Sequence, residues 1–117
     1  MPYPLALALT LTVEVPLLVG AFVLGGVVRW SVRGVAAAVA VTIGVNLATH
    51  PLVWLALRDA GADYWPRFVV VEVGAWLAES ALLYFLLGRR DARLIALVAL
   101  LANCASALAG LLLWRTP

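Results

Sequence analysis

Three of the six acidic residues, Glu14, Glu72 and Glu79, lie inside apolar stretches, and so do Asn46, His50 and Asn103. A charge at mid-depth in hydrocarbon costs about 2.5–3.5 kcal/mol on insertion scales, so such groups turn inward, find partners or stay protonated. Glu14 stands about ten residues into its apolar run, Asn46 about eleven, Glu79 about eleven and Asn103 about nine. At about 1.5 Å of rise per helical residue, all four fall within a few ångströms of one depth. Two carboxyls and two amides at one level form a polar layer whose oxygens suit H⁺, Na⁺ or a hard divalent cation.

Other polar residues extend that layer toward one membrane face. Thr49 and His50 follow Asn46 by three and four positions, hence share its helical face. Glu72 precedes Glu79 by seven, Thr10 precedes Glu14 by four, and Ser106 follows Asn103 by three. These form an expected outer path of His50, Thr49, Glu72 and Ser106, with Thr10 beside them. The opposite half offers only Thr42 and Tyr84, so the expected site opens to one side and is plugged on the other.

Positioning those residues is the work of four helices. The chain has 117 residues, 66% hydrophobic and 12% charged. Soluble domains run about 45–50% apolar and about 25% charged, and a disordered chain carries far less apolar surface. The composition therefore describes a polytopic membrane protein. Four runs, about 4–28, 35–57, 68–88 and 94–114, are each long enough to cross about 30 Å of hydrocarbon as helix. The expected fold is all-α, a single transmembrane domain over 1–117, with residues 29–33, 58–67 and 89–93 as connectors. Pro16 and Pro51 lie inside the first two runs, where each frees a carbonyl one turn back and invites a kink. Gly20, Gly25 and Gly26 would allow close helix approach. Ala102, Ser106 and Gly110 form a small-residue seam on the fourth run. Trp30, Tyr64, Trp65 and Trp114 mark span ends as interfacial anchors.

All eight basic residues are arginine. Five of them, Arg29, Arg33, Arg89, Arg90 and Arg93, sit in the first and third connectors; Arg58, Arg67 and Arg115 sit on the other side. By the positive-inside rule both termini face away from the cytoplasm. The N-terminus lacks the basic region of a signal peptide and reads as the first span. No basic patch is large enough for nucleic acid. The lone Cys104 excludes an intramolecular disulfide and any Cys-based metal motif. Asp59 and Asp63 read as solvated connector charges, and Asp91 as a partner for neighbouring arginines.

The chain also reads as a repeat. Laid on the first run, the third brings Glu79 onto Glu14 and Leu82–Leu83 onto Leu17–Leu18; laid on the second, the fourth brings Asn103 onto Asn46 and Ser106 onto Thr49. Two-span repeats must share orientation, which implies two like-oriented hairpins about a pseudo-twofold along the membrane normal.

The segments Val13-Glu14-Val15-Pro16, Asn46-Leu47-Ala48-Thr49-His50-Pro51-Leu52-Val53-Trp54, Glu72 with Glu79, and Asn103-Cys104-Ala105-Ser106 resemble a set of small bacterial four-helix inner-membrane proteins of uncharacterised function. The resemblance covers nearly the whole chain and implies the four-span fold and a bacterial inner-membrane location. The length and early Glu14 are also similar to small multidrug-resistance transporters, but Asn46, Glu79 and Asn103 have no counterpart there, so that function is not carried over.

Three functions compete. In the first, Glu14 and Glu79 are titratable ligands with Asn46 and Asn103 as amide companions, in a proton- or cation-linked transporter or channel-like subunit, as a homo-oligomer. In the second, the same residues are interhelical hydrogen bonds worth about 0.6–2 kcal/mol each, in an accessory subunit of a larger membrane complex. In the third, an intramembrane enzyme, Glu72, Glu79 or His50 would form acid–base pairs. No nucleophile elbow, metal-binding His pair or phosphate loop accompanies them, so no catalytic residue and no cofactor are expected. No metal can be assigned from the sequence.

Overall fold

The computed structural model describes residues 3–58 and 61–114. They form four helices, α1 (Tyr3–Leu24), α2 (Val32–Leu57), α3 (Tyr64–Leu86) and α4 (Ala92–Trp114), with a single 3₁₀ turn at Gly61–Asp63 before α3. All four are long and apolar enough to cross a membrane. The longest dimension is 45 Å, close to the roughly 40–45 Å of a bilayer with its headgroups. Arg115, Asp59 and the Trp114 side chain lie outside the described residues.

Local chemistry sets the helix ends, and it moves several of them from the expected places. α1 stops at Leu24, four residues short of the end of its apolar run. Gly26 adopts φ +77°, a left-handed conformation that glycine takes without penalty. The Val27 N–H then donates to Phe22 O at 2.9 Å and the Gly26 N–H to Val23 O at 3.2 Å, closing the helix in a Schellman motif. Val27 and Val28 turn back into the core beneath Phe22. α3 ends in a related way, at Gly88 (φ +92°), with the Arg89 N–H donating to Tyr84 O at 2.8 Å.

Two helices start earlier than their apolar runs because polar residues cap them. The Ser31 hydroxyl accepts from the Gly34 N–H at 3.0 Å, so α2 opens at Val32. An Asp91 carboxylate oxygen accepts from the Leu94 N–H at 3.1 Å, so α4 opens at Ala92. Each serves one of the four N–H groups that a helix start leaves unpaired. α3 takes in Tyr64, Trp65, Pro66 and Arg67, which the hydropathy left in the connector. Pro66 falls in the first turn, where a missing N–H costs nothing. Pro16 and Pro51 lie inside continuous helices.

Each helix packs on its neighbours in sequence, and α1 closes the ring on α4; the backbones of the diagonal pairs α1–α3 and α2–α4 stay farther apart among the described residues. Leu18, Phe22, Ala38, Leu83, Ile95 and Ala99 fill the half of the bundle nearest the connectors 25–31 and 87–91. The Trp76 indole N–H donates to Ala96 O at 2.7 Å and ties α3 to α4. Leucines and valines cover the outside, with Leu52, Val70 and Leu112 all more than half exposed, a surface suited to lipid and not to water.

Small residues do less packing than expected. Gly20 is exposed, and a methyl group there would meet nothing within 4 Å; the same holds at Gly110. Close approach occurs at Gly25, where a Cβ would collide with the Leu94 side chain. Of the seam on α4, Ala102 is buried, and Ser106 and Gly110 are half-buried.

Candidate functional site

All four helices send polar side chains to one place above the apolar plug. In α1, Glu14, Leu18 and Phe22 repeat every four residues on the inward face, and in α3 Ala75, Glu79 and Leu83 do the same. A carboxyl on such a stripe is carried into the bundle with its apolar neighbours. Glu14 and Asn46 are 1% exposed, Glu79 3% and Asn103 8%. The four expected members of the polar layer are therefore all interior, and they border a single cavity of about 80 Å³, room for two or three waters at about 30 Å³ each.

The hydrogen bonds cross the bundle. The Thr49 hydroxyl on α2 donates to Glu79 Oε1 on α3 at 3.0 Å. The Asn103 amide on α4 donates to Glu79 Oε2 at 2.6 Å and to Ala99 O at 2.8 Å. The Ser106 hydroxyl on α4 donates to Glu14 Oε1 on α1 at 2.8 Å. The Asn46 amide donates to Thr42 O at 2.9 Å and faces the Glu14 carboxyl. Glu79 thus has both oxygens served. Glu14 Oε2 and Asn46 Oδ1 are buried with no hydrogen-bond partner among the described residues.

Both hydroxyls sit between two acceptors. Thr49 Oγ1 is also 3.1 Å from Val45 O, and Ser106 Oγ is 3.1 Å from Asn103 O. A hydroxyl has one proton but two lone pairs. Both of its contacts are filled at once only when the carboxyl carries a proton and donates it. The site is therefore built to accommodate carboxylic acids as well as carboxylates.

The outer path is assembled as well. Thr10, His50, Glu72 and Ser106 border the same cavity. Glu14, Glu72 and Glu79 lie within electrostatic range of one another, and no arginine is among the lining residues. His50 does not use the carbonyl that Pro51 frees. Its Nδ1 is buried without a partner, and its ring packs against Tyr3 with centroids 5.5 Å apart. Tyr3 also meets Trp54 edge-on at 5.5 Å. Sequence reasoning missed Tyr3, although it stands seven and eleven positions before Thr10 and Glu14, spacings that return to one helical face. Thr42, in the plugged half, is wholly buried and bonds back to Ala38 O at 2.6 Å.

A second, apolar groove of about 210 Å³ runs between α3 and α4 on the lipid side, past Phe68, Trp76 and Cys104. Glu72 and Asn103 form part of the wall it shares with the polar cavity. Among the described residues no three His, Cys, Asp or Glu side chains are grouped to hold a metal ion.

No family model, no curated protein and no solved structure matches the chain.

Proposed function

We propose that the chain is a small polytopic membrane protein whose mid-membrane Glu/Asn site binds and exchanges a proton or small cation, in a transport or channel-like role. One observation carries this reading: two acceptor oxygens, Glu14 Oε2 and Asn46 Oδ1, are buried without partners on the wall of a polar cavity. Leaving a buried acceptor unpaired costs about 1–3 kcal/mol, a cost that a ligand bringing positive charge or N–H groups offsets.

The working architecture is two like-oriented hairpins about a pseudo-twofold along the membrane normal. Offsets along the chain support it. Ala38, Thr42, Val45, Asn46 and Thr49 correspond to Ile95, Ala99, Ala102, Asn103 and Ser106, and every member of both sets is buried or half-buried. The cross-bundle bond from Thr49 to Glu79 has its counterpart in the bond from Ser106 to Glu14. On this reading both termini lie outside the cytoplasm and the cavity mouth opens at the outer face of a bacterial inner membrane, an orientation that the arginine distribution supports. The chain takes its place beside the small four-helix inner-membrane proteins that its Glu/Asn pattern resembles. Four short helices enclose little space, so the working unit is a homo-oligomer. The reading assigns no bond-making step.

A second reading is favoured by Glu79 itself. With Thr49 and Asn103 on its two oxygens, it has the form of an interhelical cross-link. That suits an accessory subunit whose apolar exterior docks on a larger membrane complex. Titration of the purified protein in lipid nanodiscs separates the two readings. Proton release on adding a small cation, abolished in Glu14→Gln, supports the exchange site. Wild-type responses in both Glu14→Gln and Glu79→Gln, with lowered thermal stability in the latter, leave the structural role.

A further inference from the structure

The exchange site just proposed has a chemistry of its own, and it narrows the ligand. Three residues that border the cavity each carry a buried polar atom with no hydrogen-bond partner among the described residues: Glu14 Oε2, Asn46 Oδ1 and His50 Nδ1. Glu14 and Asn46 are each 1% exposed, so the first two are enclosed. The amide orientation at Asn46 is fixed by its donation to Thr42 O at 2.9 Å; turning it over would set oxygen against oxygen. Asn46 and His50 stand one helical turn apart on a single face of α2, Glu14 faces Asn46 from α1, and all three residues border the cavity.

We infer that this site selects a small protonated amine, ammonium or a short primary alkylammonium, over a metal ion. Carboxylate oxygen, amide oxygen and imidazole nitrogen in its acceptor tautomer all receive N–H bonds. An alkali or alkaline-earth ion takes oxygen ligands and gains little from imidazole. The described residues also hold no group of three His, Cys, Asp or Glu placed for a metal. A cavity of about 80 Å³ has room for ammonium or methylammonium. Its acidic side chains are Glu14, Glu72 and Glu79, and no arginine is among the lining residues. Glu79 already receives hydrogen bonds from Thr49 and Asn103.

The inference rests on the cation-site reading, and one experiment tells their failures apart. Thermal unfolding of the purified wild type is followed at constant ionic strength and pH in ammonium, methylammonium, potassium, sodium and tetramethylammonium chlorides. Potassium matches ammonium in size but has no N–H; tetramethylammonium has the charge but no N–H. Ammonium and methylammonium are expected to raise the midpoint with an apparent Kd at least tenfold below that of potassium, and tetramethylammonium is expected to have no effect. Glu14→Gln and His50→Leu should each weaken ammonium binding at least tenfold. Thr42→Val is the retained-binding control and should bind within threefold of wild type, since Thr42 does not border the cavity and its hydroxyl bonds back to Ala38 O within its own helix. Potassium or sodium binding as tightly as ammonium overturns the amine preference but leaves a cation site. Stabilisation by none of the salts overturns both.

Discussion

The two halves of the bundle carry the same polar residues and use them differently. In α3–α4, Glu79 and Asn103 are joined at 2.6 Å, and Thr49 closes the second oxygen. In α1–α2, Ser106 closes one oxygen of Glu14, Asn46 is occupied with Thr42 O, and one acceptor on each residue stays unpaired. Asn103 and Asn46 both bond back to the carbonyl four residues earlier; Asn103 also donates to Glu79 Oε2 at 2.6 Å, while Asn46 faces Glu14. A satisfied polar network rigidifies a core. The α3–α4 pair therefore reads as a strut and, on the proposed exchange reading, the α1–α2 pair as the working end.

That contrast is most exposed by matched substitutions. Glu79→Leu removes the acceptor that Asn103 and Thr49 share and should lower unfolding stability in detergent by about 2–3 kcal/mol. Glu14→Leu loses only the Ser106 bond and should cost about 1 kcal/mol. Equal losses would erase the distinction between strut and working end. Next in size, Asn103→Leu should cost about 1–2 kcal/mol and Asn46→Leu under about 1 kcal/mol, measured in the same assay. The halves should agree where their turns agree: Gly26→Ala and Gly88→Ala, each forcing a Cβ into a left-handed conformation, should each cost about 1–2 kcal/mol. Smallest, Ser31→Ala and Asp91→Ala remove matching helix caps and should each cost about 1 kcal/mol. A large difference within either of these last pairs would break the correspondence between the hairpins.

Four apolar helices were legible because hydrocarbon leaves so little choice of residue, and the inward placement of Glu14, Asn46, Glu79 and Asn103 followed from the cost of exposing them to lipid. Helix ends were less legible. Hydropathy continues through Val27 and Val28, but the left-handed Gly26 ends α1 before them, and Ser31 and Asp91 open helices ahead of the apolar runs. The asymmetry between the halves had no sequence signal. Glu, Asn and a hydroxyl recur at matching places in both, and whether an amide reaches its carboxyl is decided by sub-ångström packing. Tyr3 over His50 depends on how α1 lies beside α2, which periodicity alone does not specify.

The connector ends have a mechanical consequence. Glu14 stands twelve residues before Gly26, whereas Glu79 stands nine before Gly88; Ser31 precedes Asn46 by fifteen, and Asp91 precedes Asn103 by twelve. Both helices of the second hairpin are thus about one turn, or about 4.5 Å, shorter below the shared cavity. Arg89, Arg90 and Arg93 accordingly ride higher than Arg29 and Arg33. In a flat bilayer such a stepped base would favour a lean of the bundle toward its short side, or a thinning of the adjoining leaflet there.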